Sequence, residues 1–458
     1  MNSHKSGPGS RIDAEILSTY SVSQLQGGLF EMPPSAPLDI VLFGATGFTG
    51  WITAQYIARL ATPDLRWAIA ARSQDKLAAK LQELRRLFPD RAPPEIIVAG
   101  LDDASAVRLA GAAKVVISTV GPYCRYGSGL VKACAEAGTH YIDCTGEHTW
   151  VLDMIEKYDE TARRTGALII PQSAFESAPA DLVSYKVAKT IREEYGVGTK
   201  DVTFSLHNLN GGASGGTMET FFSVIEVFGL RRIASSSAPL ALSPVQKSRS
   251  YNYPFRLPVF THPVLGTLTP WLQGTPDRAI VMRSWGLTEQ YTPAQSYGSS
   301  FGFAEYKRVK NVLEGAALWL TITVLSVGVL LAPFRWIARR VVMQPGLGPS
   351  QKFDINRQGS LEWRAVGVAD TADSKSEKKV LASMRYDEGD AYALTALLIV
   401  EAALAVLDVQ SRREAGTAAE MECLAGKIGG GVLTPASLGD VYLNRLDAVG
   451  VKVVAKTL

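Results

Sequence analysis

After about residue 37, short apolar runs rich in β-forming residues alternate with segments whose apolar positions recur at helical spacing. Strands that alternate with helices in this way build a parallel sheet. The predicted strands are 39–43, 66–71, 95–99, 114–120, 140–143 and 166–171, with helices at 49–59, 74–88 and 129–137. The pattern therefore predicts a doubly wound α/β unit of the Rossmann type with six parallel strands.

The alternation stops near residue 173. Residues 201–307 mix strand-like runs with many Gly, Ser and Pro residues, which is typical of an inserted α+β domain with an antiparallel sheet. Residues 361–385 are again strand-like, and 391–406 predict an apolar helix. The expected domains are a disordered arm over 1–37, a nucleotide-binding domain over 38–175, a substrate domain over 176–390 and C-terminal helices over 391–458.

Residues 315–334 contain no charged side chain and are long enough to cross a bilayer. Glu314 precedes this segment and Arg335 follows it. Three interpretations stay open: a helix buried in the protein core, contact with a membrane or lipid-droplet surface, and a single-pass span. Thr321 and Thr323 reduce the hydrophobicity of the segment and favour the first.

The composition narrows the class of protein. Hydrophobic residues at 47% and charged residues at 20% exclude disorder for most of the chain. Lysine plus arginine, 47 residues, nearly balance aspartate plus glutamate, 44 residues, and no basic block is present, so nucleic acid is not an expected partner. The four cysteines lack the spacing of a zinc site or a disulfide framework, so no metal is expected and an intracellular, cytoplasmic location is favoured.

Three glycines with the spacing G-x-x-G-x-x-G lie directly between the first predicted strand and the first predicted helix. Because glycine has no Cβ atom, a pyrophosphate can approach the N–H groups at the N-terminus of that helix. Two threonines in the loop add hydroxyl donors. The predicted phosphate-binding residues are Gly44, Thr46, Gly47, Phe48, Thr49 and Gly50.

The end of the second predicted strand indicates the type of dinucleotide. A basic residue there binds the 2′-phosphate of NADP, whereas an acidic residue binds the ribose of NAD. This chain has Arg72 and Ser73, with Lys76 one turn later, so NADP(H) is the expected cofactor. Asp102, after the third strand, is expected either to contact the adenine or to cap the next helix.

The nicotinamide is expected beside the end of the fourth strand, near Ser118, Thr119, Gly121 and Pro122, because that strand borders the topological switch point. Two tyrosines follow this segment. Each is either a proton donor or an aromatic packing residue. They are Tyr123 and Tyr126.

The segments 121–127 and 138–147 together resemble the saccharopine dehydrogenase-like oxidoreductases and trans-acting enoyl reductases. Further similarity occurs at 175–182, 214–217, 346–350, 401–404 and 431–435, so the resemblance covers about residues 38–450. Two positions depart from the family pattern, since Ala174 and Glu176 replace a glycine and an aspartate. If that aspartate is catalytic, the Glu176 carboxyl extends one methylene farther.

The resemblance implies that the last segment returns to the Rossmann unit. It also implies NADPH-dependent reduction of a C=C bond in a polyketide or lipid-like intermediate, carrier-bound or free, that a separate polyketide synthase supplies. Such a reduction needs an acid and a donor to the carbonyl oxygen. The candidates are Tyr123, Tyr126, His148 and Glu176.

Two alternatives stay open. Tyr185 and Lys189 have the Tyr-x-x-x-Lys spacing of short-chain dehydrogenases, although the same spacing also occurs on a solvated helical face. The chain is alternatively a non-catalytic membrane or lipid-droplet scaffold that keeps a Rossmann core.

Overall fold

The computed structural model describes residues 37–60, 62–209, 215–246, 257–331, 333–336, 359–371, 377–416 and 423–458. The predicted N-terminal arm, apart from Pro37, and the similar segment at 346–350 lie outside the described residues, as does residue 214. The fold below concerns the unit from Pro37 to Leu458.

Two seven-stranded sheets form the framework of this unit. The strands are β1 (Leu38–Phe43), β2 (Trp67–Ala71), β3 (Glu95–Val98), β4 (Ala113–Ser118), β5 (His140–Asp143), β6 (Leu168–Ile170), β7 (Thr199–Asn208), β8 (Phe260–His262), β9 (Gly266–Pro270), β10 (Phe303–Val309), β11 (Leu361–Ala369), β12 (Lys379–Tyr386), β13 (Gly431–Val432) and β14 (Lys452–Thr457).

The sheets are accompanied by α-helices and by short 3-10 turns at Pro293–Gln295 and Pro435–Leu438. The helices are α1 (Phe48–Leu60), α2 (Gln74–Leu87), α3 (Asp103–Ala112), α4 (Tyr123–Tyr126), α5 (Ser128–Ala137), α6 (His148–Thr165), α7 (Ala178–Tyr195), α8 (Gly215–Ser236), α9 (Gly274–Tyr291), α10 (Val312–Leu330), α11 (Ala391–Glu414), α12 (Leu424–Ile428) and α13 (Gly439–Ala448).

The first sheet is parallel and has the order β13-β6-β5-β4-β1-β2-β3, which confirms the predicted Rossmann-type α/β fold. The predicted fourth strand ends two residues early, at Ser118. The predicted number of strands was too low by one, because β13 pairs with β6 from near the C-terminus. A strand of two residues is too short to show an alternating pattern in the sequence.

Helices cover both faces of the parallel sheet, as parallel strands require. Along β1, Val41 and Phe43 belong to one apolar cluster with residues of α3, α5 and α6. Ile40 and Leu42 face the other way, into a cluster that includes α1, α2 and α11. Helix α11 packs on α1, β4 and β5, so the C-terminal segment returns to the Rossmann unit.

The second sheet is mixed, with the order β14-β12-β11-β7-β10-β9-β8. The predicted antiparallel pattern holds for every neighbouring pair of this sheet except one, since β7 and β10 run parallel. Helix α7 packs on β11, β12 and β14, and Phe204 and Trp363 join the cluster that reaches the parallel sheet. One apolar core therefore connects the two sheets. The division of the chain at residues 175 and 390 stays a prediction.

Among the described residues, α10 and α11 are long and apolar enough to cross a membrane. They differ in burial, since 83% of the apolar window of α11 lies inside the protein and only 6% of that of α10 does. Of the three interpretations of residues 315–334, burial in the core is therefore wrong for the described part of α10, and contact with a membrane stays open. Helix α10 projects from the mixed sheet.

A buried arginine holds the returning strand β13 in place. The Arg283 side chain is 2% exposed, and its Nε donates to the Val432 carbonyl at 3.0 Å. Its Nη1 donates to the Leu242 carbonyl at 2.6 Å, and its Nη2 lies 3.2 Å from Asp159. Asp159 also accepts the Val432 N–H at 2.8 Å. Arg283 and Asp159 together satisfy both backbone groups of Val432.

We expect Arg283→Met to lower the free energy of unfolding by about 2–6 kcal/mol, because it leaves the buried carbonyls of Val432 and Leu242 without a donor, at about 1–3 kcal/mol each. Urea unfolding followed by circular dichroism measures the change. Arg66→Met is the matched control, since Arg66 is about half exposed and 3.9 Å from Glu95. Its expected change is below about 1 kcal/mol. Equal effects of the two substitutions would contradict the role assigned to Arg283.

Candidate cofactor and active site

The loop after β1 packs tightly against the start of α1. Gly44 has a φ of +96°, which glycine adopts without strain, and its carbonyl accepts the Gly47 N–H at 2.9 Å. A Cβ atom on Gly50 would lie 2.1 Å from that same carbonyl oxygen. Only glycine therefore permits this approach, which leaves the N-terminus of α1 open to a phosphate.

The end of β4 lies beside this loop. Phe43 pairs with Ser118, and the Thr119 hydroxyl donates to the Phe43 carbonyl at 3.1 Å. A Cβ atom on Gly44 would meet the Thr119 hydroxyl at 2.6 Å. The sheet order reverses between β1 and β4, which is where dinucleotides bind in this fold. The structure thus brings the predicted phosphate and nicotinamide segments together.

The remaining loop residues are partly exposed. Thr46, Phe48 and Thr49 are half-buried. The Phe48 ring contacts the ring of Tyr392 at the start of α11, with 5.0 Å between centroids and an edge-on orientation. The returning helix therefore supports the phosphate loop from outside.

The residues that distinguish NADP from NAD lie at the C-terminal edge of β2 and β3. Arg72 and Lys76 are exposed, and in the described part of the chain the Arg72 side chain makes no ion pair or hydrogen bond. The Ser73 hydroxyl caps α2 by accepting the Lys76 N–H at 3.4 Å. Asp102 caps α3 by accepting the Ser105 N–H at 2.9 Å, so the capping alternative is observed for Asp102. Arg72 remains available to a 2′-phosphate.

A carboxylate fixes the segment after β4. Glu147 accepts the N–H groups of Tyr123 and Cys124, each at 2.7 Å, and so caps α4 rather than its own helix. Two residues precede α4: Gly121 is exposed and Pro122 is half-buried. The segment predicted to lie beside the nicotinamide is therefore fixed by the Glu147 carboxylate and remains exposed at Gly121.

The two predicted tyrosines differ in environment. Tyr123 is buried, and its hydroxyl donates to the Ser118 carbonyl at 2.9 Å and lies 3.1 Å from the Cys144 sulfur. Burial raises the pKa of Tyr123 well above its ordinary value. Tyr126 is 43% exposed. His148 packs with its Nε2 3.2 Å from the Ser237 hydroxyl, and burial lowers its pKa to about 4.

Glu176 lies in the turn between β6 and α7, at the C-terminal edge of the parallel sheet. A Cβ atom on Gly146 would be 2.9 Å from its Oε2. Burial, with a smaller contribution from the negative charge of Glu147, raises the pKa of Glu176 to about 7. Its carboxyl makes no hydrogen bond within the described part of the chain. An acid of this kind can give up a proton near neutral pH.

Two further buried acids lie near Glu176, and they were not predicted from the sequence. They reach it through Ser177, the next residue in the chain. Asp277 in the first turn of α9 and Glu305 in β10 are both buried. Burial and their mutual proximity raise the pKa of Asp277 well above its ordinary value, and burial raises that of Glu305 to about 7. Asp277 accepts the Ser177 hydroxyl at 2.9 Å. Two adjacent buried carboxyls cannot both ionise at low cost, so the pair retains a proton.

Asp143 joins the loops that follow β5 and β6. Its Oδ1 accepts the N–H groups of Thr145 at 3.0 Å and Gln172 at 2.9 Å. Burial raises its pKa to about 7. Because Gln172 precedes Glu176 in the same loop, Asp143 fixes the position of the candidate acid.

The geometry of Tyr185 and Lys189 does not favour the short-chain dehydrogenase alternative. Tyr185 donates to Asp440 of α13 at 3.4 Å, and Lys189 pairs with the same carboxylate. Tyr185 lies about 10 Å along α7 from the sheet edge, and Lys189 lies about 16 Å along it. Tyr185 lines a cavity of about 440 Å³ with Leu60, which ends α1 about 18 Å from the glycine loop. The pair therefore lies toward the edge of the parallel sheet opposite the glycine loop.

The glycine cradle at the switch point and the unpaired Arg72 fit a dinucleotide with a 2′-phosphate, and together with the Rossmann sheet they define an NADP-dependent oxidoreductase. Residues 40–170 match the saccharopine dehydrogenase NADP binding domain, so NADP(H) is the cofactor. The predicted individual ligands of the cofactor stay predictions.

Relatives along the whole chain specify the family. A relative from Mycobacterium tuberculosis is 32% identical over 440 residues, which are 90% of this chain and 96% of that protein. A trans-acting enoyl reductase from Mycobacterium ulcerans is 30% identical over 451 residues, with coverages of 92% and 98%. The chain belongs to the trans-acting enoyl reductase family.

Solved structures are more distant. A meso-dapdh mutant from Clostridium tetani covers 90% of this chain and 99% of its own, with a TM-score of 0.38 and 11% identity. A short-chain type dehydrogenase/reductase from Mycobacterium ulcerans covers 30% of this chain and 67% of its own, with a TM-score of 0.25 and 12% identity. The family assignment therefore depends on the sequence relatives.

We expect Arg72→Glu to reduce the preference for NADPH over NADH by about tenfold to hundredfold, because a hydrogen bond to a charged group contributes about 1.5–3 kcal/mol. Quenching of intrinsic fluorescence during titration with each nucleotide measures the two dissociation constants. Arg86→Glu makes the same charge change at the far end of α2 and should leave the preference unchanged. An unaltered preference in Arg72→Glu would remove Arg72 from the site.

Proposed function

We propose that this protein is a trans-acting enoyl reductase that uses NADPH to reduce a C=C bond conjugated to a carbonyl in a polyketide or lipid-like intermediate. The reaction class comes from the names of the relatives. The observation that supports it in this chain is Glu176, a carboxyl with a pKa near neutrality at the cofactor edge of the sheet. Conjugate reduction requires such a group.

The cofactor, when bound, supplies hydride for the β-carbon. The protein then has to deliver a proton to the α-carbon and stabilise charge on the carbonyl oxygen. Glu176 is the proposed proton donor, because its carboxyl holds a proton in a substantial fraction of molecules at neutral pH and has no competing partner among the described residues. Burial and the negative charge of nearby Glu147 both favour the acid form of Glu176.

The tyrosines have other proposed roles. The Tyr123 hydroxyl is already bonded to Ser118, and proton release from it is opposed by burial, so Tyr123 is a positioning residue. It shapes the nicotinamide segment together with Glu147. Tyr126 is exposed and is the second candidate for a hydrogen-bond donor to the substrate.

The proposed partner is a polyketide synthase that presents its intermediate on a carrier. The relatives are named as trans-acting enzymes, and this description fits a reductase that serves a separate synthase. The enzyme is also proposed to contact a membrane through α10, whose apolar side chains face outward. An apolar substrate is compatible with both features.

We expect Glu176→Gln to lower kcat by about 10²–10⁴-fold with a synthetic enoyl thioester, because general acid catalysis contributes about that factor. In the parent enzyme the acid form is active, so kcat should fall as the pH rises through about 7, and Glu176→Gln should lose this dependence. The assay follows NADPH absorbance and a product that is heavier by two hydrogen atoms.

Glu160→Gln, on the exposed face of α6, is the control for this experiment and should leave both the rate and its pH dependence unchanged. The dissociation constant of NADPH should also be unchanged in Glu176→Gln. A variant that keeps the parental pH profile would assign the proton to another group. Loss of NADPH binding would mean that Glu176 is structural.

We expect the protein to float with phospholipid vesicles in a density gradient. Leu320→Glu combined with Val324→Glu should abolish flotation, because both side chains are more than half exposed on α10. Val107→Glu combined with Val454→Glu alters equally exposed apolar side chains on other elements and should float normally. Flotation that is insensitive to the α10 substitutions would exclude α10 as the membrane contact.

A further inference from the structure

Helix α10 is rooted firmly in the mixed sheet. A Cβ atom on Gly315 would lie 2.7 Å from a Val259 methyl group and 3.2 Å from one of Val309. The Gly315 carbonyl accepts the Thr269 hydroxyl at 3.2 Å. Beyond this point the helix leaves the protein surface. Its direction is therefore fixed by packing at the base.

The exposed part of α10 is apolar on every side, as expected for a helix surrounded by hydrocarbon. Its polar groups are satisfied within the helix, since the hydroxyls of Thr321 and Thr323 donate to carbonyls one turn earlier, each at 2.8 Å. At the other end, Arg335 donates to the carbonyls of Val329 and Leu330. These threonine hydroxyls therefore do not need a partner outside the helix.

The sheet order restricts how α10 meets a membrane. The strand before α10 is β10 and the next described strand is β11, and both lie beside β7 in the same sheet. The chain therefore leaves the sheet at residue 310 and rejoins it by residue 361. A helix that crossed the bilayer would require the following residues to cross back.

The residues available for that return are too polar to cross. The sequence over 337–360 contains the charged residues Arg339, Arg340, Lys352, Asp354 and Arg357. Charged side chains and unpaired backbone groups are excluded from the hydrocarbon region when they face lipid. A complete crossing by α10 is therefore incompatible with the connection to β11.

We infer that α10 is a monotopic anchor that lies obliquely within a single phospholipid leaflet, on the side that carries the two sheets, and never reaches the opposite leaflet. The oblique position is required because 19 helical residues are about 28 Å long and would nearly cross the bilayer if the helix stood upright. This inference rests on the proposed membrane contact. It also places the buried acid Glu305 near lipid, because Glu305 lies four residues before Val309 at the base of α10, about 13 Å along β10. A substrate with an acyl chain dissolved in that leaflet would reach the enzyme without crossing water.

The test uses Leu313→Cys and Leu331→Cys, near the two ends of α10, each labelled with the fluorophore NBD and bound to preformed phosphatidylcholine–phosphatidylglycerol vesicles. Both leucines are more than half exposed, so labelling does not disturb the core. Dithionite, which destroys NBD and does not cross the bilayer, is either added outside or trapped inside. The parent chain carried through the same labelling gives the background.

We expect trapped dithionite to leave both labels intact, and detergent to make both reactive. Loss of the Leu331 label to trapped dithionite would show a crossing and overturn the inference, even though flotation succeeds. Absence of flotation would overturn both the anchor and the membrane contact, while turnover of a soluble enoyl thioester would still support the reductase. A dimer in sedimentation without lipid, lost in Leu320→Glu with Val324→Glu, would assign α10 to a second copy instead.

Discussion

A parallel sheet requires helices packed on both of its faces. In this protein one of those faces is packed by α11, which comes from the C-terminal part of the chain. Helix α11 packs on β4 and β5 and so covers this face of the parallel sheet. The same helix places Tyr392 against Phe48 in the phosphate loop. The mixed sheet then joins the same core through α7. The cofactor loop, the cleft and the second sheet all depend on this return of the chain.

Burial between the two sheets also determines the chemistry of the acids. Asp143, Glu176 and Glu305 each have a pKa raised to about 7, with desolvation as the largest cause. The folded protein therefore binds more protons than the unfolded chain between about pH 4 and pH 7. The stability that these groups contribute is complete below their ordinary pKa and is lost as the pH rises through 7. The protein retains groups that cost stability at neutral pH, and Glu176 is the one at the cofactor edge of the parallel sheet without a hydrogen-bond partner among the described residues.

Local features of the sequence predicted the fold and the cofactor well. The spacing of Gly44, Gly47 and Gly50 after an apolar run reflects backbone geometry within a few residues, and Arg72 follows directly from the end of β2. The Tyr185 and Lys189 spacing was equally local, yet the helix that carries them points them away from the cofactor. The spacing of residues in the sequence determines which side chains are neighbours on one helix. It does not determine where that helix places them relative to the cofactor.

Other features depend on contacts between distant segments and were beyond the sequence. Nothing in the sequence distinguishes Asp277 and Glu305 from other acidic residues. They become neighbours, with Asp277 bonded to Ser177, only because α9 and β10 meet in the fold. Strand β13 has two residues, so its place in the sheet comes from Arg283 and Asp159 rather than from its own pattern. The exposure of α10 was also undecided, because an apolar helix has the same composition in a core and in a lipid leaflet.

The return of β13 and α11 has a consequence for biosynthesis. While the ribosome is still translating the mixed sheet, the emerged N-terminal half exposes the apolar face of β4 and β5 and the open edge of β6, which are the surfaces that chaperones recognise and that aggregate. The dinucleotide loop reaches its supported form only after Tyr392 has left the ribosome. The support that α11 gives to the dinucleotide loop therefore becomes available only late in translation.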